Sequence, residues 1–154
     1  MAIDTPLGKD ALLLSSFVGT EEMSRLFHFD IEMLSEKDSI AANSIVGKNV
    51  TFSVQFAHGS WRYFNGFVSR FAYCGKGDRL NMYRAEVVPW LWFLTRTSDC
   101  RIFQNKKVPE IVEQILKDLG FKDYKMDVKG NHPQWEYCVQ YRETDFNFIS
   151  RLME

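Results

Sequence analysis

The strictest constraint on this chain is the strict apolar–polar alternation that runs through its first half. In 26–34, Phe27, Phe29, Ile31 and Met33 share one parity while His28, Asp30 and Glu32 share the other. In 49–57 the pattern returns with Val50, Phe52, Val54 and Phe56. A period of two puts all the apolar residues on one face of an extended strand, whereas a helix would need them spaced three and four apart. The segment that follows, 61–75, is the most aromatic of the chain, with Trp61, Tyr63, Phe67, Phe71 and Tyr73 on one parity, interrupted by Asn65 and Ser69. Fully extended it would span about 46 Å, too long for one straight strand of a small domain. Gly66 is the expected position of a bulge or sharp bend.

Turn chemistry divides the rest of this half into short strands. Residues 11–17 read as a strand and 19–24 as the turn after it. A polar turn follows at 35–39, and 40–47 reads as a short helical turn closed by Gly47. His58–Gly59–Ser60 and the glycine-containing 75–79 are hairpin turns on either side of the aromatic segment, and 80–89 returns as a further strand. Closely spaced antiparallel strands with a bend in the longest one predict a small barrel, with the five aromatics as its core and wall.

After residue 89 the pattern changes. Residues 108–120 carry Val108, Ile111, Val112, Ile115, Leu116 and Leu119 along one helical stripe, with Pro109 suited to the first turn and Gly120 to the C-terminal cap. Strands are expected near 122–128 and 135–141, and a last helix over 144–154, capped by Thr144, with Phe146, Ile149 and Met153 on its packed face. That helix has no Gly or Pro terminator, so the chain reads as ending inside an element, with a frayed helix whose packing surface is incomplete. The fold class expected is mainly β with two or three α-helices: a tube-like antiparallel barrel over 1–94, then the start of a second, similar module over 95–154.

Charge and composition narrow the function. A net charge of −1 leaves no electrostatic footprint for nucleic acid or an anionic membrane. The N-terminus lacks the basic and long apolar regions of a signal peptide, and no run reaches the roughly 20 apolar residues of a helical span. Cys74, Cys100 and Cys138 are far apart and unpaired in sequence, which reads as reduced, mostly buried thiols. A phosphate loop fails at 47–50, because the required upstream glycine and following hydroxyl are Ala42 and Asn49. Asp30 and Glu32, two apart beside His28, have the spacing of a carboxylate pair, but an amphipathic strand's solvated face explains them as well. His58 and His132 sit in turns without metal-ligand spacing. The aromatic segment, with Arg62 and Arg70 interleaved, admits a stacking platform on an oligonucleotide-binding barrel as an alternative to a core. No catalytic, cofactor or metal residue is assigned.

Five phrases occur in series: "GTEEMSRLFHFDIEMLSE" (19–36), "IVGKNVTF" (45–52), "RYFNGFVSRF" (62–71), "YRAEVVPWLWFLTRTSDCRIFQNKKVPEIVEQIL" (83–116) and "CVQYRETDFNFISRLME" (138–154). In this order they resemble the N-terminal region of the valine–glycine repeat protein G (VgrG) family, the spike proteins of bacterial type VI secretion systems, which is itself similar to phage baseplate hubs. The resemblance implies two related barrels per subunit, three subunits in a pseudo-sixfold ring, and a ring that adapts a hexameric tube of the haemolysin-coregulated protein type to a trimeric spike. It implies as partners a homotrimer of the full-length protein, the tube protein, a spike-tip protein, effectors and the baseplate, with no nucleic acid and no stable membrane insertion. It further implies assembly in the bacterial cytoplasm followed by translocation into a target cell, with no cofactor and no enzymatic activity. The signature residues it marks are Gln140, Arg142, Glu143, Asp145, Phe146 and Arg151, all in structural roles. A phage or prophage tail hub is the nearest alternative, and a hydrolase using Asp30 and Glu32 the most remote. The fragment alone is not expected to form the native trimer.

Overall fold

The computed structural model describes all 154 residues. The elements in chain order are β1 (Ala2–Asp4), β2 (Leu13–Thr20), β3 (His28–Ser35), a 3-10 turn (Ala42–Ser44), β4 (Asn49–Gln55), β5 (Trp61–Lys76), β6 (Asn81–Val88), a second 3-10 turn (Trp90–Thr95), β7 (Ser98–Lys107), α1 (Val108–Asp118), β8 (Gln134–Thr144) and α2 (Asp145–Met153). They gather into two compact units, Met1–Trp90 and Leu91–Glu154.

The first unit is one antiparallel sheet in the order β1-β4-β5-β6-β3-β2. The alternation does what a period of two requires: Phe29, Ile31 and Met33 on β3 and Val50 and Phe52 on β4 are buried, as are Tyr83, Ala85 and Val87 on β6. Four phenylalanines show that the sheet curls onto itself. Phe17 of β2 and Phe52 of β4 are not on neighbouring strands, yet their rings lie 5.2 Å apart. Phe29 of β3 reaches Phe64 of β5 at 5.1 Å, and Phe52 stacks on Phe64 at 4.9 Å. Such ring pairs add roughly 0.5–1.5 kcal/mol each beyond the burial of their area. The two edge strands, β1 and β2, approach each other but are not hydrogen-bonded, so the curled sheet is an open barrel.

β5 departs from expectation in an instructive way. Its register against β6 shifts between Val68 and Arg70 and again between Tyr73 and Gly75. The first bulge is thus at Ser69, not Gly66, and it swaps the faces of the residues from there to the second shift. Before it, Phe64, Gly66 and Val68 face inward, across from buried Phe52, Val50 and Val87. After it, Phe71 and Tyr73 face inward against Tyr83, at 5.2 and 5.4 Å. The five aromatics expected on one face are therefore divided: Trp61, Tyr63 and Phe67 point outward, and Trp61 and Tyr63 are 44% and 68% exposed. Tyr73 also remains exposed, at the mouth of the sheet, where its hydroxyl donates to Asn81. Gly66 serves close approach instead of a bend. A Cβ there would stand 2.7 Å from both the Val88 carbonyl oxygen and Val87 Cγ1.

The second unit pairs β7 with β8 and packs α1 and α2 against them. In α1 the buried residues are Ile111, Val112, Ile115 and Leu116, and Glu110 accepts a 2.8 Å bond from the Lys107 amide at the helix entrance. The strand expected over 122–128 does not form; the chain from 121 to 133 has no regular structure, and Lys125–Val128 instead flank a groove of about 560 Å³ beside Val108 and Val112. The partner of β8 is β7, which the sequence conceals: its bulky apolar residues Ile102 and Phe103 are adjacent and so face opposite sides. α2 is formed through Met153. Its buried face is Asp145, Phe148 and Ile149, with Phe146 only half-buried and Met153 63% exposed, so the packed stripe lies one residue away from the one expected. The helix is not frayed, because Phe148 stacks on Phe103 at 5.7 Å and α1 covers its side. Cys138 is buried, whereas Cys74 and Cys100 are exposed, contrary to the reading of mostly buried thiols.

Candidate functional site: a polar lock beneath the last helix

β8 leads directly into α2, and the junction concentrates the signature residues. Thr144, in an extended conformation, caps the helix by accepting from the Asn147 amide at 3.1 Å. Asp145, the first helical residue, is fully buried. Its Oδ2 accepts from the Thr97 hydroxyl at 2.6 Å, its Oδ1 from Gln140 Nε2 at 2.7 Å, and Arg101 Nη2 lies 3.3 Å from Oδ1. The Asp145 amide donates to the Thr97 carbonyl at 3.0 Å. A buried carboxylate persists only when paired and hydrogen-bonded, and here the three donors come from the approach to β7, from β7 and from β8. One side chain thus ties two strands to the start of a helix.

A second pair reinforces the junction. Arg151 reaches back from the last turn of α2 to Glu143 in a two-pronged contact, Nη2 at 2.7 Å and Nε at 3.0 Å, and also donates to the Val139 carbonyl at 2.8 Å. Its guanidinium lies over the Phe148 ring, 4.8 Å from the centroid. The Arg151 hydrogen bonds hold the Glu143 carboxyl below its usual range. Asp99 is held low as well, by its 2.7 Å bond from Arg101 Nε.

Gln140, Glu143, Asp145 and Arg151 are therefore gathered in one place, and Thr97 and Arg101 join them. Neither of these two was expected. The only trace of them in the sequence is their place in the phrase around 83–116, since their partner lies more than forty residues away. Phe146 and Arg142 stay apart. Phe146 contributes its carbonyl to Ser150. Arg142 is exposed, with its guanidinium 5.3 Å from the Tyr141 centroid, and its φ of 49° is in the left-handed region. It stands where β8 carries two residues against one on β7, since the register shifts between Asp99 and Arg101. The lock has the chemistry of a brace: its acids are engaged by guanidinium, amide or hydroxyl donors. Asp30 and Glu32 do not act together either. Glu32 accepts from Ser16 and Arg84 at 2.8 and 3.0 Å, bonds that lower its pKa, while Asp30 faces His28.

Comparisons with known proteins identify the family. The family described as phage tail baseplate hub (GPD) matches residues 20–154. The type VI secretion system spike protein VgrG1a of Pseudomonas aeruginosa is 46% identical over 152 residues, which is 99% of this chain and 24% of that protein. The spike protein VgrG1c of the same organism is 45% identical over 99% of this chain and 21% of its own length. The chain therefore spans about a quarter or less of the curated relatives it matches. Among solved structures, the Escherichia coli c3393 protein superposes with a TM-score of 0.84 at 28% identity, over 99% of this chain and 42% of its own. That protein is described as a type VI secretion component with structural similarity to the T4 bacteriophage tail proteins gp27 and gp5. With the hub family matched along residues 20–154, and with spike proteins similar along nearly the whole length, this chain belongs to the phage tail baseplate hub (GPD) family.

Proposed function

We propose that this chain is the part of a type VI secretion spike that adapts a hexameric tube to a trimeric spike. The curled six-stranded sheet carries the proposal: an open antiparallel barrel presents a wall that can be repeated around a ring, and it is the fold shared with the secretion component from E. coli. The relatives are structural spike and hub proteins, so the role is mechanical and catalysis has no part in it. In this reading the unit Met1–Trp90 is the first tube-like barrel and Leu91–Glu154 opens the second module. Three copies in the full-length protein place barrels in a pseudo-sixfold ring, whose symmetry matches a hexameric tube on one side and a threefold spike on the other. The full-length protein assembles in the bacterial cytoplasm and is driven out with tube, tip protein and effectors.

A chimera tests this. Replacing the matching 152 residues of P. aeruginosa VgrG1a with this chain should give a trimer by light scattering and sustain export of both spike and tube protein. A chimera that is folded and trimeric yet supports no export refutes the assignment. A phage or prophage tail hub is the second reading, favoured by the description of the matched family, and it shares the fold. It predicts that folded outcome without export. The signature residues act in both readings as the brace of the second module.

A further inference from the structure

On the outer face of the first unit, His28 and Asp30 stand two apart on β3, and Glu86 lies directly across from Asp30 on β6. Two carboxylates facing each other across neighbouring strands repel, which costs a sheet stability unless something positive offsets them. Around the pair are Val18 and Thr20 on β2, across from Asp30 and His28, and Ser69 and Arg70 on β5. Arg70 Nη1 is 3.1 Å from Glu86 Oε1, and Ser69 Oγ is 3.5 Å from Oε2. Arg70 thus engages one acid, while Asp30 has only the imidazole, at 3.4 Å.

We propose that His28, Asp30 and Glu86 form a site for a divalent first-row transition ion of the zinc and cobalt class. One ligand atom from each lies within 4.8 Å of the others. Metal–nitrogen and metal–oxygen bonds of roughly 2.0–2.2 Å place the ligand atoms of a tetrahedral site about 3.4 Å apart. The His28–Asp30 spacing of 3.4 Å already has this value. Glu86 completes the set by turning its carboxylate toward them and leaving Arg70, whose side chain is 75% exposed and free to move into solvent. An imidazole with two carboxylates suits zinc or cobalt better than magnesium, which gives up its water shell reluctantly. Three protein ligands leave a position for water or for a donor from a neighbouring molecule. The ion would clip β3 to β6 and neutralise the facing acids. This inference is independent of the spike assignment.

The test uses the 154-residue chain with Cys74→Ser and Cys100→Ser, which removes the exposed thiols as competing ligands, after treatment with a chelator. Cobalt chloride is followed by visible absorption and zinc sulfate by calorimetry. One ion per chain is expected at micromolar concentration, weakened at least about tenfold by each of His28→Ala, Asp30→Asn and Glu86→Gln. His58→Ala and His132→Ala should leave binding unchanged, and Arg70→Ala should tighten it several-fold by freeing Glu86. All of these side chains are at least partly exposed on a surface, and circular dichroism checks that each variant is folded. The site is overturned if no ion binds, or if binding is unaffected by His28→Ala. Weaker or unchanged binding in Arg70→Ala removes Glu86 from the ligand set and overturns the site as assigned.

Discussion

Replacing Asp145 by alanine isolates the lock from the rest of the chain. The substitution removes the acceptor of the Thr97 hydroxyl, of Gln140 Nε2 and of Arg101 Nη2. Breaking a buried ion pair by deleting one partner costs about 3–5 kcal/mol, because the other charge is left uncompensated. Arg101 is not fully orphaned: its side chain is 23% exposed, and Nε keeps Asp99 at 2.7 Å. Gln140 likewise keeps the Glu143 carbonyl at 3.2 Å. Those retained contacts put the expected cost at the low end, about 3 kcal/mol. Asp145→Asn should cost less, about 1–2 kcal/mol, because its oxygen still accepts from Gln140 and the Thr97 hydroxyl can turn to accept from the new amide.

The two units need not unfold together, so one global midpoint is the wrong measurement. Amide hydrogen exchange over 134–144 reads the local free energy directly. A loss of 3 kcal/mol is about a hundredfold drop in protection at 1.36 kcal/mol per factor of ten. Asp99→Ala is the control: it removes the 51% exposed, solvent-screened partner of the same guanidinium and should lower protection far less. If Asp145→Ala lowers protection no more than Asp99→Ala does, Asp145 is not what holds the junction.

Gly66→Ala should destabilise the first unit by about 1–3 kcal/mol, since its Cβ would press on the Val88 backbone oxygen, which cannot step aside; unchanged amide exchange protection over 61–88 would count against the close-approach reading. Arg142→Gly should be neutral or raise stability by up to about 1 kcal/mol, because a left-handed φ costs a side-chain-bearing residue and glycine nothing. Loss of more than that in chemical denaturation would mean that the Arg142 side chain holds something besides Tyr141. The Glu143–Arg151 pair makes a pH prediction. Its folded carboxyl is held low, so its contribution is fully present above glutamate's ordinary value of about 4.3 and fades as pH falls through the lower folded value. Exchange over 134–144 should therefore accelerate between neutral pH and pH 3 less in Glu143→Gln than in the parent, after correction for intrinsic rates. Equal acceleration would remove the pair from the acid response.

How far the sequence reaches depends on how far apart the partners are along the chain. Alternation is a local signal, and on β3 and β4 it named the buried side chains Phe29, Ile31, Met33, Val50 and Phe52. β5 carries the same signal with more aromatics, and there it misleads. One extra residue at Ser69 turns the side chains between it and the second register shift to the opposite face, so Phe71 and Tyr73 part from Trp61 and Tyr63. The bulge has no glycine to announce it, while Gly66, which looks like the break, is there for a neighbouring carbonyl. β7 is hidden for the opposite reason: its adjacent Ile102 and Phe103 cancel any periodicity, and only pairing with β8 makes it a strand.

Asp145 carries the point furthest. By local rules it is an ordinary first-turn acid, favoured by the helix dipole and expected in solvent. Its actual environment is set by Thr97 and Arg101, 48 and 44 positions earlier. No periodicity or cap signal spans that distance, so the phrase-level resemblance marks the residue without giving its reason. The reason is that a helix following directly from a strand has its first amides and first side chain trapped under the neighbouring strand. An acid placed there must find donors across the sheet or stay out. This makes β7, α2 and the intervening hairpin partner a single unit of stability: a substitution at Thr97 should be felt in the protection of α2 as strongly as one at Thr144, although only Thr144 is next to the helix. Thr97→Val and Thr144→Val, each removing one hydroxyl from the junction, should lower exchange protection across 145–153 to within a factor of about three of each other, given that each lost hydrogen bond or cap is worth about 1 kcal/mol. An effect confined to Thr144→Val would mean that the cap alone holds the helix and that Asp145 tolerates losing Thr97.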